Sequence, residues 1–145
     1  MSWDKEIDEL RAREALAFEM GGADKVARQH EFNKLTIRER IDQIADATTF
    51  HEIGTLAGVG EYDDDGNLKA FTPSNFVFGT ADVDGRPVIL SGDDFTVRGG
   101  SADASIAGKR IRAEGLAVEL RLPHIRLAVS YTHLTLPTTY GVDGA

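Results

Sequence analysis

The chain contains no cysteine, which excludes disulfide bonds, thiolate metal sites and catalysis by a thiol nucleophile. Long apolar runs are also missing, since no stretch approaches the ~20 residues that a membrane-spanning helix needs. The charged start from Met1 to Glu6 lacks the apolar core of a signal peptide. These absences favour a soluble cytoplasmic protein without a membrane partner.

Positive charge is scarce, with 16 Lys and Arg against 24 Asp and Glu and a net charge of -8. This balance argues against broad binding to nucleic acid or to anionic membranes. An anionic ligand can bind only where cationic side chains gather locally. The 145 residues, 41% of them hydrophobic, suit one globular domain or a piece of a larger one.

The first part of the chain, residues 1–48, is predicted to be helical. Trp3, Ile7 and Leu10 begin a thin apolar stripe with steps of four and three, which indicates an amphipathic helix that ends at Gly21-Gly22. A second short helix is predicted over residues 24–30. The stripe fits either a plain surface helix or one that packs on a partner subunit.

A capping box starts the third predicted helix, with Thr36 as the N-cap and Glu39 reaching back to it. The helix runs from Ile37 to about Asp46, and an extended segment follows at Phe50–Ile53.

Residues 58–73 are interpreted as a loop around an acidic turn at Asp63–Asn67. The turn matches the first positions of a calcium-binding loop. Thr72, however, stands where the bidentate glutamate of such a loop should be. A solvated acidic turn is therefore the favoured interpretation.

Two apolar segments flank Asp84-Gly85, the strongest short-range signal for a β-hairpin. Its strands are predicted over residues 75–83 and 86–91. A turn at residues 93–101, a helix at 102–120 and a strand at 124–127 complete a β-β-α-β order.

The composition and the apolar pattern of the sequence change in the tail, residues 129–145. Val129–Thr138 has no charged side chain and no core pattern. This segment resembles the translation of a transposase-type sequencing-library adapter. We expect residues 129–145 to be non-native, natural sequence to end near Leu127, and His133 to have no catalytic role.

The Gly99-Gly100-Ser101 segment is the main candidate binding motif. Glycines let a backbone approach a ligand closely, and the free N–H groups of a helix start attract negative charge. Ser101 can serve as the N-cap. Many helices start at Gly-Ser for structural reasons alone, so this interpretation stays open beside the functional one.

Cationic side chains surround this motif. Arg98 precedes the glycines, and Lys109, Arg110 and Arg112 follow on the predicted helix. At 100° per residue, Lys109 falls on the apolar face with Ala113. Such a lysine must snorkel, form an ion pair at the seam, or meet an anion such as a phosphorylated ligand.

Three collinear motifs carry a family resemblance. Lys34–Asp42 resembles the K-L-T-x-R-E-R-I opening of carboxyltransferase (β) subunits of biotin-dependent acyl-CoA carboxylases. Val83–Val88 is similar to their V-D-G-R-P-V hairpin, and Asp94–Ser101 to their D-F-T-V-x-G-G-S signature, with Lys109 eight residues further on. The family includes propionyl-, acetyl- and methylcrotonyl-CoA carboxylases, methylmalonyl-CoA decarboxylase and transcarboxylase.

The resemblance implies an α/β fold, in which N-terminal helices precede an incomplete crotonase-like β-β-α unit. Residues 49–128 would begin an N-terminal domain that binds acyl-CoA, while a missing second domain would face carboxybiotin. The segment from Phe95 to Ser101 would line the CoA site. The implied contacts are Phe95, Arg98, Gly99, Gly100, Ser101 and Lys109.

The implied reaction moves a carboxyl group from N1 of biotin to the α-carbon of an acyl-CoA, and the implied assembly is a homohexamer. No cofactor is expected to bind directly, because carboxybiotin arrives as a co-substrate on a biotin carboxylase or biotin carrier subunit. The family's enolate-stabilising glycine pair follows the strand that corresponds to residues 123–127, so no catalytic residue is assigned and the isolated chain is expected to be inactive. A standalone CoA- or nucleotide-phosphate-binding module and a structural fragment that docks on a larger subunit remain alternatives.

Overall fold

The computed structural model describes residues 2–100 and 107–128. Four helices and six strands follow one another along this part of the chain. The helices are α1 (Asp4–Phe18), α2 (Ala23–Glu31), α3 (Ile37–Ile44) and α4 (Ala107–Leu120). The strands are β1 (His51–Glu52), β2 (Gly58–Tyr62), β3 (Leu68–Pro73), β4 (Phe76–Val83), β5 (Arg86–Asp93) and β6 (His124–Leu127).

The main sheet has the strand order β1-β4-β5-β6. β4 and β5 pair in an antiparallel hairpin, and β6 returns through α4 to pair with β5 in parallel. The turn residues Asp84 and Gly85 have φ angles of 51° and 71°, as a two-residue type I′ turn requires. The predicted hairpin and the β-β-α-β order are therefore confirmed.

Helices cover both faces of this sheet, because the side chains of β4 and β5 alternate between two buried clusters. The first cluster joins one face of the sheet to α3 and consists of Ile37, Ile41, Val77, Ala81, Val88 and Leu90. The second joins the other face to α4 and consists of Phe76, Phe78, Ile89, Ala113, Leu116 and Ala117. The apolar face predicted for α4 thus lies against the sheet.

The predicted capping box of α3 is confirmed. The backbone N–H of Glu39 donates to the hydroxyl oxygen of Thr36 at 3.3 Å, and the backbone N–H of Thr36 donates to the Glu39 carboxylate at 2.7 Å. His30 on α2 lies 2.9 Å from the same carboxylate. The pKa of Glu39 is lowered, first by the hydrogen bond from His30 and then by that from the Thr36 backbone. The contact with His30 joins α2 to the start of α3.

The interpretation of residues 58–73 as a loop is wrong, because β2 and β3 form a second, two-stranded sheet there. Most of the hairpin's side chains are exposed, although Phe71 is buried, and α1 packs on β3. The acidic turn within the segment is confirmed. The Asp63 carboxylate accepts backbone N–H groups of Asp65 and Asn67 at 3.0 and 2.8 Å.

Three predicted features lie wholly or partly outside the described residues. These are Ser101 as an N-cap, the first part of the helix predicted at 102–120, and the tail 129–145. Within the described ranges, none of the helices is long and apolar enough to cross a bilayer.

Candidate functional site

A cleft of about 970 Å³ opens where the parallel strands β5 and β6 end. Its volume is at the upper end of the range for small-molecule sites, and the carboxyl ends of parallel strands are a frequent position for such sites. The segment after β5 forms one wall. The helices α2 and α3, with their connection, form the other. The lining residues are Lys25, Arg28, Gln29, Phe32, Lys34, Leu35, Thr36, Ile37, Arg40, Asp93, Asp94, Phe95, Thr96, Arg98, Gly99 and Ala128.

Asp94 organises the first turn of this segment. Its carboxylate accepts the backbone N–H of Thr96 at 2.9 Å and the Thr96 hydroxyl at 2.6 Å. The side chain is almost fully buried, and burial is the main cause that raises the pKa of Asp94. The Thr96 hydroxyl oxygen also accepts the backbone N–H of Gly21 at 2.9 Å, so the segment is fixed to the chain between α1 and α2.

The glycines of the motif bend the backbone sharply. Gly99 and Gly100 have φ angles of 62° and 69°, in the left-handed region that glycine adopts without steric cost. Phe95 is 38% exposed at the cleft, and the backbone N–H of Gly100 donates to the carbonyl oxygen of Val97 at 3.0 Å. The turn therefore places the Phe95 ring and the Gly99 backbone at the same opening.

Asp93 anchors the end of β5 to the elements that follow it. Its carboxylate lies 2.5 Å from the Arg110 guanidinium on α4 and 3.3 Å from that of Arg126 on β6. Both guanidiniums also lie over the Phe76 ring, at 5.4 and 5.8 Å from its centre. The Asp93 charge is consequently balanced although the residue lines the cleft.

Lys109 lies away from the cleft. Its ammonium is 3.9 Å from the Glu52 carboxylate, and only 7% of its side chain is exposed. Burial is the main cause that lowers the pKa of Lys109 to about 8, with Glu52 opposing and Arg38 adding to the shift. This arrangement matches the ion pair at the seam that the sequence left open. The phosphate contact of Lys109 stays a prediction.

The structure brings together only part of the predicted site. Phe95, Arg98 and Gly99 line the cleft, and Gly100 follows directly without lining it. Ser101 lies outside the described residues. Of the other expected cations, Arg110 is bound to Asp93, and Arg112 pairs with Glu119 at 2.9 Å on the exposed side of α4.

Sequence reasoning missed the opposite wall. Lys25, Arg28 and Gln29 of α2 line the cleft and share one helix face by their i, i+3, i+4 spacing. Lys34 and Arg40 flank the first turn of α3 on the same wall. The signal was present as cations on one face of a short helix, but only the tertiary fold places that face opposite Phe95.

Comparison with protein families gives a match over most of the chain. A family model described as a carboxyl transferase domain matches residues 28–133. The propionyl-CoA carboxylase carboxyltransferase subunit of Haloferax mediterranei is 35% identical over 127 residues, which are 88% of this chain and 25% of that protein. The mitochondrial methylcrotonoyl-CoA carboxylase beta chain of Arabidopsis thaliana is 32% identical over 86% of this chain and 20% of its own length.

Comparison with solved structures also gives matches over most of the chain. A crystal structure of the transcarboxylase 12S hexamer, with methylmalonyl-coenzyme A and methylmalonic acid bound, matches 90% of this chain with a TM-score of 0.70 and 26% identity. The match covers 26% of that chain. A single-chain, multi-domain long-chain acyl-CoA carboxylase matches 83% of this chain and 13% of its own with a TM-score of 0.69 and 30% identity. The chain spans at most about a quarter of the length of these relatives.

Proposed function

This chain belongs to the carboxyl transferase domain family, and we propose that it is the N-terminal part of a subunit that moves a carboxyl group between carboxybiotin and the α-carbon of an acyl-CoA. Its helices and β-β-α-β sheet have the crotonase-like fold of the solved carboxyltransferases. Within that subunit, residues 1–48 form a helical segment and residues 49–128 begin the acyl-CoA-binding domain. Residues 129–145 are a non-native tail in this proposal.

One observation carries the assignment to acyl-CoA. The D-F-T-V-x-G-G segment, Asp94–Gly100, forms a wall of a large cleft at the carboxyl ends of β5 and β6. The hydrogen bonds of Asp94 to Thr96 and of Thr96 to Gly21 hold this wall in place. Phe95, Arg98, Gly99 and Gly100, with Ser101 beyond them, are proposed as contacts of the acyl-CoA.

The chemistry requires more than this cleft. A base must remove the α-proton, and the new C–C bond forms as the carboxyl group leaves N1 of biotin, which takes up a proton in its place. Negative charge develops on the thioester oxygen, so donors placed around that oxygen supply much of the rate enhancement. Positioning of two substrates supplies much of the rest. The described residues bind and orient the acyl-CoA in this proposal, while the enolate-stabilising glycines and the biotin-facing domain lie elsewhere in the subunit.

Partners follow from the reaction. Carboxybiotin is a co-substrate attached to a biotin carrier, so the subunit works with a biotin carboxylase or biotin carrier subunit. A homohexamer, the assembly of the transcarboxylase 12S match, is the proposed state of the complete subunit. We place the complex in the cytoplasm.

The test compares the complete subunit with the 145-residue chain. Carboxyl transfer from carboxybiotin to a panel of acyl-CoAs is measured for both. Turnover is expected from the complete subunit alone, because the proposed oxyanion donors lie in a part of the subunit outside residues 2–128. Absence of transfer to every acyl-CoA by the complete, folded subunit would refute the enzyme assignment, and turnover by the short chain would refute its proposed inactivity.

A further inference from the structure

Four cations on one wall of the cleft have no acidic partner among the residues that the structure describes. Lys25, Arg28, Lys34 and Arg40 line the cleft. Across residues 2–100 and 107–128, no carboxylate oxygen lies within 4.0 Å of a side-chain nitrogen of any of the four. By contrast, Lys109, Arg110 and Arg126 are each paired with a carboxylate. A chain with a net charge of -8 thus leaves this group of positive charges without a paired carboxylate.

The acidic residues of the cleft do not cancel these charges. Asp93 is already bound by Arg110 and Arg126. Asp94 is buried and turns its carboxylate toward Thr96. The wall formed by α2 and α3 therefore keeps a local positive potential, which attracts anions most strongly in a concave site.

The volume and the lining of the cleft indicate which kind of anion fits there. Its volume of about 970 Å³ far exceeds what a single phosphate needs. Phe32, which follows α2, is 62% exposed and lines the cleft next to the cations. An exposed aromatic ring beside cationic groups suits a purine base with attached phosphates. The ring can stack on the base, and the cations can pair with the phosphate charges.

We propose that Lys25, Arg28, Lys34 and Arg40, called here the phosphate wall, bind the phosphate groups at the nucleotide end of the acyl-CoA. The inference rests on the proposed function and deepens it. The phosphate wall selects a phosphorylated nucleotide carrier over a bare pantetheine thioester. The segment of residues 94–100, called here the glycine wall, lies on the other side of the cleft.

The test removes two charges from α2. Lys25→Gln with Arg28→Gln is introduced into the full chain and into the complete subunit. Binding of CoA, 3′-dephospho-CoA and pantetheine is measured by calorimetry for the chain, and KM and kcat for an acyl-CoA are measured for the subunit. Two lost charged contacts should raise Kd and KM for the CoA forms by about tenfold or more. Pantetheine binding and kcat should remain unchanged.

A matched control removes the same charge elsewhere. Lys69→Gln with Arg86→Gln changes two exposed cations on β3 and β5 that do not line the cleft. This variant should bind CoA like the wild type. Far-UV circular dichroism checks that both variants are folded. The salt dependence of CoA binding should weaken only in the α2 variant, because that variant has lost cations that contact the phosphates.

The outcomes separate this inference from the proposed function. Carboxyl transfer with an unchanged KM in the α2 variant would refute the phosphate wall and leave the enzyme assignment intact. An equal loss for CoA and pantetheine, or for both double variants, would also refute it. Absence of carboxyl transfer by the wild-type subunit with every acyl-CoA would refute the proposed function. Calorimetry would still show whether the phosphate wall binds CoA. A folded wild-type chain that does not bind CoA would overturn the inference.

Discussion

The Lys109 ammonium lies 3.9 Å from the Glu52 carboxylate, and the two side chains are only 7% and 9% exposed. Arg38 approaches the same carboxylate at 2.5 Å and stacks over the Phe18 ring, 4.4 Å from its centre. One carboxylate on the edge strand β1 thus receives a cation from α3 and another from α4. Because charges removed from water are costly, this cluster links stability to the protonation of Lys109.

The first prediction concerns pH. Burial lowers the pKa of Lys109 to about 8 in the folded protein, against 10.5 for an ordinary lysine. Between these values the unfolded chain binds more protons than the folded chain, so the Lys109 contribution makes folding more favourable as pH rises. The free energy of unfolding of the wild type, minus that of Lys109→Met, should increase by about 2 kcal/mol between pH 7 and pH 10. Urea unfolding at several pH values measures it.

An exposed lysine provides the control for this prediction. Lys69→Met should follow the wild type in parallel across the same pH range, since Lys69 is exposed and lies on β3 of the second sheet, away from Glu52 on β1. Parallel curves for Lys109→Met as well would contradict the assigned burial of a charged ammonium.

The second prediction removes the shared carboxylate. Glu52→Gln leaves Lys109 and Arg38 close together without their negative partner, and breaking a buried ion pair from one side typically costs about 3 kcal/mol. A loss of that order is expected in urea unfolding at pH 7. Glu114→Gln, an exposed position on α4, should change the free energy of unfolding by less than about 0.5 kcal/mol. Equal small effects at both positions would show that the cluster contributes little.

Local signals in the sequence were sufficient for several elements. The hairpin at Asp84-Gly85 follows from turn chemistry, since both residues adopt positive φ. The capping box between Thr36 and Glu39 involves partners three residues apart. In both places the interacting groups are neighbours in the chain, so the pattern alone contains the information.

Other features depend on distant partners. The β2-β3 hairpin was missed because the side chains of β2 are mostly exposed, so its sequence lacks the clear alternation of a half-buried strand. Glu52 could not be named as the partner of Lys109, because 57 positions, the difference between the two residue numbers, separate them. The phosphate wall was missed for the same reason, since the approach of α2 to Phe95 is tertiary.

The third prediction tests the close contact of β1 with β4. Gly79 pairs with Glu52, and a Cβ added to Gly79 would overlap the carbonyl oxygen of His51. The His51 backbone is held in the sheet and cannot move aside as the end of a flexible side chain could. Gly79→Ala should therefore displace β1 and cost about 2 kcal/mol or more in urea unfolding.

A second glycine gives the opposite expectation. Gly115 lies in α4 at a position where an added Cβ would meet only open space, and alanine is the better helix former. Gly115→Ala should stabilise the fold by about 0.5–1 kcal/mol. If both substitutions destabilised the protein to the same extent, the steric explanation for Gly79 would be wrong.

The last prediction concerns the buried carboxylate of the glycine wall. Asp94 accepts both the backbone N–H and the hydroxyl of Thr96 through one oxygen, which an asparagine oxygen can replace. Burial raises the pKa of Asp94, so the charged form costs stability at pH 7. Asp94→Asn should stay within about 1 kcal/mol of the wild type at pH 7. Its free energy of unfolding should fall further below that of the wild type as the pH is lowered, because protonation of Asp94 removes the cost of its buried charge. Asp94→Ala should lose about 2 kcal/mol, because the Thr96 donors are left unpaired. An Asn variant as unstable as the Ala variant in urea unfolding would mean that the charge itself holds the turn.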